Sequence, residues 1–241
     1  MEPHSWDVSP HEAATIQRTL RARLRTEDDP PRLREGARVV AGVDNAYVQQ
    51  ADGGTLGVGV AIALSFPALE PLEWSITTLP VRFPYIPGLL AFREVPLMHA
   101  ALAGLHASPD LVLVDAQGYA HPRRFGAASH LGVLIDRPTI GCAKSRLVGH
   151  YTPPGPETGA RTPLIEHGET IGMVVRTRVG GAPLFISVGH RVNLATAVGV
   201  VLACYPPGSR GRLPEPIRLA DRRTKEEVRR LRTSAAKRTS W

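Results

Sequence analysis

The sequence predicts an α/β domain built on a mixed sheet, a three-stranded antiparallel meander followed by parallel strands and flanking helices. Three observations carry this. Apolar, β-branched runs at 37–48, 55–66 and 73–83 follow one another closely, the first two separated by the turn residues Asp52-Gly53-Gly54. Beyond them helical and strand periodicities alternate, at 94–106, 110–116, 126–136 and 138–145. Hydrophobic residues make up 43% of the 241, with only 5% aromatic, enough for an aliphatic core in one large domain.

Each element has its own signal. Ser9-Pro10-His11-Glu12 is a capping box with proline at the first helical position, and Ile16, Leu20 and Leu24 share a face, which predicts a helix over 10–25. Residues 28–34, with two prolines, predict a linker. The third strand runs into PYIPG (84–88), a proline-stiffened loop. The helix at 94–106 places Val95, Met98, Leu102 and Leu105 on one face. DLVLVDA (110–116) is a short apolar run that suits a buried parallel strand. A helix at 126–136 and a strand at 138–145 follow. Residues 149–168, rich in Gly, Pro and Thr, read as an inserted loop, then 169–178 and 182–189 as a hairpin and 190–205 as a helix. One domain is expected over 1–217.

Charge sets off the remainder. The net charge is +7, and residues 218–241 hold nine basic and three acidic side chains, leaving the rest near neutral. This segment is expected to be a basic, partly disordered tail able to grip phosphate. Cys142 and Cys204 are too few for a disulfide framework. No secretory signal and no apolar run of membrane-spanning length is visible. A reduced, cytoplasmic protein, monomeric and away from membranes, is expected. No GxGxxG or GxxxxGK[ST] argues for a nucleotide cofactor, and no CxxC or HExxH for zinc.

Three acids stand out. Asp44 lies inside the first strand, where a carboxylate is costly unless paired or bound to a cation. Asp115 closes the run LVLV, and ligands gather at the carboxyl ends of parallel strands. Glu94 starts a helix, where the dipole favours an acid. Taken singly, a solvated strand end, a turn Asp and a helix-start Glu explain them. In a β-β-β-α-β order, however, the first and fourth strands are neighbours, so Asp44 and Asp115 come together under Glu94. Such a cluster selects Mg²⁺ or Mn²⁺, ions suited to phosphodiester hydrolysis. His121 follows six residues after Asp115, and Arg123 and Arg124 precede a helix start, a phosphate-binding arrangement. Only three of the 29 basic residues are lysine, and Lys144 is the one outside the last 24 residues. His190 and Arg191, at the expected start of the last helix, offer another anion position, and Arg93 beside Glu94 another.

The motifs AGVDNAY, PYIPGLLAFRE, DLVLVDAQGYAHPRR, FGAASHLGVLIDRPTIGCAKSRL, PLFISVGHRVNLATAV and RLPEPIRLAD resemble, in order, those of the endonuclease V family, over roughly residues 35–221. The resemblance implies an RNase H-like fold and a repair endonuclease acting on deoxyinosine in DNA. It implies a nick at the second phosphodiester bond 3′ to the lesion, leaving 3′-hydroxyl and 5′-phosphate. Asp44, Glu94 and Asp115 would hold the metal, with His121 and Lys144 near the scissile phosphate. Tyr85, Ile86, Pro87 and Gly88 would form the wedge that parts the strands. Gly88, Leu90, Gly118 and Gly126 would surround the extruded base. Two departures are visible. Ala116-Gln117 stands where the family often reads Gly-His, and Ala195 where many members carry an acid, so a fourth carboxylate is expected to be missing. An inosine-specific ribonuclease and a non-catalytic inosine or branched-DNA binder are the alternatives.

Overall fold

Strand pairing begins at the turn that the sequence marks. β1 (Val39–Gln49) and β2 (Thr55–Ser65) run antiparallel about Asp52-Gly53-Gly54, with Gly53 at φ +83° and Gly54 N–H donating to Asp52 Oδ1 at 2.9 Å. β3 (Pro71–Pro80) extends the meander at the sheet edge. α2 (Ala91–Ala103) then crosses back, so β4 (Leu111–Val114) lies parallel to β1 on its other side. α3 (Ala127–Ile135) and β5 (Thr139–Ala143) repeat the crossover. β6 (Arg161–Glu166), β7 (Glu169–Val175) and β8 (Leu184–His190) complete an eight-stranded sheet of order β3-β2-β1-β4-β5-β8-β7-β6. α1 (Pro10–Arg21), α4 (Leu194–Ala203) and α5 (Glu215–Arg238) are the other helices of the described residues. The computed structural model describes residues 4–29, 36–209 and 211–238, with backbone alone for 235–238.

The strand period divides the core into two layers. Ala41 and Val43 of β1, with Val112 and Val114 of β4, pack under α2 and α3. Val40 and Val48, with Val58, Val60 and Ile62 of β2, face α4 and α5. Both cysteines are buried, free thiols, as expected. Among the described residues no helix is long and apolar enough to cross a membrane.

The capping box at Ser9 and Glu12 is present in full. Other expectations need correction. Within the stretch read as an inserted loop, Arg161–Glu166 forms β6, an edge strand in which Pro163 is tolerated. The last expected helix starts four residues later than read, at Leu194, because Asn193 is its N-cap. The basic tail is the larger correction. Residues 215–238 are one helix that crosses the expected domain boundary at 217, and Ile217, Ala220, Thr224 and Val228 are buried at helical spacing. The expected linker falls mostly on residues 30–35, and the end of the expected tail on 239–241, both outside the described residues.

α5 sits on β1 at backbone distance. A Cβ on Gly42 would stand 2.2 Å from the carbonyl carbon of Pro216. Glycine is thus required there by close approach, which fixes how deeply the helix docks.

Candidate active site

The β1/β4 register places the first two acids. Val43 pairs with Val114 in parallel, so Asp44 and Asp115, the next residue on each strand, stand beside each other. Glu94 reaches in from the first turn of α2. A fourth carboxylate, Asp221, arrives from α5 and repels both Asp44 and Asp115. This corrects the expectation of a missing fourth acid: Ala195 removes one candidate, and a different element supplies another. The signal was present in the sequence as an Asp four residues after Ile217, but the surrounding arginines hid the helical pattern.

These acids strain against one another. Burial, then the neighbouring Asp115 charge, pushes Asp44 up to about 7, although the Thr224 hydroxyl hydrogen bond opposes this. Burial and the charges of Asp115 and Asp44 push Glu94 up to about 8. Asp115 is raised by burial and eased by Lys144, whose Nζ lies 2.5 Å from Oδ2. Burial lowers the affinity of Lys144 for its proton, but the acids around it raise it further, so it stays charged. The Glu94 Oε2 and Tyr47 hydroxyl atoms are buried with no hydrogen-bond partner among the described residues.

Among the described residues no three His, Cys, Asp or Glu side chains are already drawn around one point as a metal cage would be. The donor set nevertheless fits a hard divalent cation. Four carboxylates have two ammonium partners, Lys144 on Asp115 and Lys225 on Asp221, and among the described residues a buried carboxylate oxygen on Glu94 lacks a partner.

Glu94 and Asp115 border a cavity of about 250 Å³ that also touches Tyr85, Pro87, Gly88 and His121. Tyr85 is 70% exposed, so the proline-stiffened loop presents its ring to solvent. Ile86 does not join it: its side chain packs inward with Phe83, Leu89 and Phe92. Leu90 and Gly126 line the cavity. Gly118 supports it from behind, since a Cβ there would meet Val188 O at 2.1 Å. Ala116 and Gln117, the first of the two departures, also border the cavity, and Gln117 Nε2 donates to Ser145 O at 2.8 Å.

Most of the expected phosphate-binding side chains have other partners. Arg93 donates to Phe83 O at 3.0 Å and lies 4.2 Å over the Tyr47 ring. Arg123 bonds Gln17 and Gly88 O. Arg124, at φ +54°, is held by Glu166 and Glu169. His190 is the last residue of β8, buried against Asp136, and Arg191 pairs with Asp29 and Asp136. The α4 N-terminus already carries an anion of the chain itself. The Asp28 carboxylate accepts from Asn193 N–H at 2.8 Å and from the Thr196 hydroxyl at 2.8 Å.

Comparison with known proteins identifies the family and supports the fold. The family model described as endonuclease V matches residues 18–222. Endonuclease V of Nostoc punctiforme is 49% identical over 219 residues, 91% of this chain and 95% of the relative. The crystal structure of endonuclease V from Streptomyces avermitilis superposes with TM-score 0.84 at 40% identity, covering 95% of this chain and 97% of that one. Endonuclease V of Ciona intestinalis has TM-score 0.77 at 30% identity, covering 92% and 98%; it was solved with a 24mer DNA containing an inosine followed by a ribo-adenosine. With its mixed RNase H-like sheet and central acids, this chain belongs to the endonuclease V family of nucleases.

Proposed function

We propose that the chain nicks DNA beside deaminated purines, deoxyinosine foremost, at the second phosphodiester bond 3′ to the lesion, leaving 3′-hydroxyl and 5′-phosphate ends. One observation carries this reading: Glu94 and Asp115 border the same cavity as the exposed Tyr85 loop. A base turned out of the stack past Tyr85 enters that cavity while its own strand lies within reach of the acids. Tyr85 and Pro87 fill the gap left in the stack, and Leu90 and Gly126 receive the base. The inosine-containing DNA bound by the Ciona relative supports the lesion class.

Asp44, Glu94, Asp115 and Asp221 would hold Mg²⁺, or Mn²⁺ in its place. When bound, such an ion supplies Lewis-acid polarisation of the phosphate and of an attacking water. The four acids keep that charge localised at the sheet centre. Lys144, held beside Asp115, offers a compact ammonium to negative charge developing on the phosphate. Ala116 and Gln117 narrow the cavity wall where the base lies.

The test is a nicking assay on matched inosine and adenine duplexes with Mg²⁺, with inosine RNA as a third substrate. Inosine-dependent nicking at the stated bond is expected, and Asp44→Asn is expected to lower it by roughly 100-fold or more. Equal cleavage of adenine DNA, or an Asp44→Asn rate equal to wild type, refutes the reading. A faster rate on RNA than on DNA moves the substrate to the ribonuclease alternative.

A further inference from the structure

Gln17 is the odd residue of α1. The buried face of that helix is Ala13, Gln17 and Leu20, and Gln17 has no exposed surface. A carboxamide in an apolar stripe costs free energy unless its polar atoms are paired. Here they are. Nε2 donates to Gly88 O at 3.2 Å and Phe125 O at 3.3 Å, and Oε1 accepts from Arg123 Nε at 2.6 Å. Carbonyls on one side and a guanidinium on the other fix which end of the amide is nitrogen.

Three side chains converge on one atom. Gly88 O accepts from Gln17 Nε2, from His121 Nε2 at 3.0 Å and from Arg123 Nη2. The following amide is held as well, Leu89 N–H donating to Ile86 O at 2.9 Å. The 88–89 peptide plane is therefore gripped at both ends. Gly88 itself sits at φ +79°, and its own N–H donates to no protein acceptor among the described residues. A plane that turned would reposition both Gly88 and Leu90 on the cavity wall. Bases differ in the donor and acceptor pattern of their edges, so such a turn changes which base fits.

We propose that Gln17 is a positioning residue for lesion selection, acting through the Gly88 carbonyl to fix the loop between Tyr85 and Leu90. The N-terminal helix thereby takes part in choosing the base, although it carries none of the acids. The proposal rests on the reading of the cavity as a base pocket.

The test uses the full chain with Gln17→Met, which keeps side-chain length and removes the polar contacts, and Gln17→Glu, which sets an oxygen against two carbonyls. KM and kcat on the inosine duplex are measured beside hydrogen–deuterium exchange of the DNA-free protein. Gln17→Met is expected to raise KM about tenfold with kcat within about twofold, equivalent to about 1.4 kcal/mol of binding. Exchange should quicken at 84–90 and not in the central strands, and Gln17→Glu should move both readouts the same way. A KM within twofold of wild type, unchanged exchange at 84–90, or a parallel fall of kcat with faster exchange throughout the sheet overturns the proposal. If the wild type nicks no inosine substrate, the base-pocket reading fails first, and exchange at 84–90 alone then decides whether Gln17 holds the loop.

Discussion

His121 has both ring nitrogens engaged, Nε2 on Gly88 O at 3.0 Å and Nδ1 accepting from Arg123 N–H at 3.1 Å. Burial and the Arg123 charge hold it down to about 4 from an ordinary 6.5, so it is neutral at physiological pH. Its bonds add stability fully above about pH 6.5 and lose it as pH falls towards 4, where the unfolded chain takes the proton more readily. Asp44 and Glu94, whose proton affinity is raised, act in the opposite direction, so the readout is a difference. The Tm gap between wild type and His121→Asn should narrow on going from pH 7 to pH 4.5 in thermal melts. Tyr85 is the other residue whose surroundings decide its role. Its 70% exposure leaves its ring open to an incoming ligand. Tyr85→Ala should lower the preference for inosine over adenine about tenfold in competitive nicking, the worth of one stacked base, with a smaller loss on undamaged DNA. At this scale the sequence was legible where chemistry and position coincided: a carboxylate inside a β-branched run, or one lysine among arginines. It was misleading at His190 and Arg191, because their partners, Asp29 and Asp136, lie far off in the chain.

Among the elements, α5 departs furthest from what composition suggests. Its first half buries an apolar stripe on β1 and β2 and delivers Asp221 and Thr224 to the acids. Its charged face dominated the composition, and charge counts do not reveal a four-residue stripe. The meander and the β1/β4 pairing were legible for the opposite reason, since strand alternation and turn residues are local signals. β6 was not, because an edge strand with Pro163 carries weak propensity and takes its order from β7. Docking of α5 turns on Gly42. Gly42→Ala should force the helix off β1, lower Tm by several degrees and reduce nicking more steeply than stability alone explains, because Asp221 moves with it. Melting curves beside nicking rates at a temperature where the variant stays folded check this; wild-type activity in a folded variant contradicts it.

Over the whole molecule, like charges are concentrated rather than spread. Four carboxylates lie near the sheet centre, while basic side chains of α5 such as Arg222, Arg229 and Arg232 stand exposed along the helix. A polyanion is therefore drawn to the rim and repelled at the centre until a cation is bound there. Changing Arg222, Arg229 and Arg232 together to Gln should flatten the dependence of log Kd on log salt by about 0.9 for each phosphate no longer neutralised, without changing lesion preference. An unchanged slope would place the duplex on another face.

α5 also has a consequence in time. It is made after every other described element, and it brings in one stroke the cover for β1 and β2 on one sheet face and the fourth acid. Chains emerge from the ribosome N-terminus first. A chain halted before this helix has β1 and β2 uncovered on that face and lacks Asp221 beside Asp44 and Asp115.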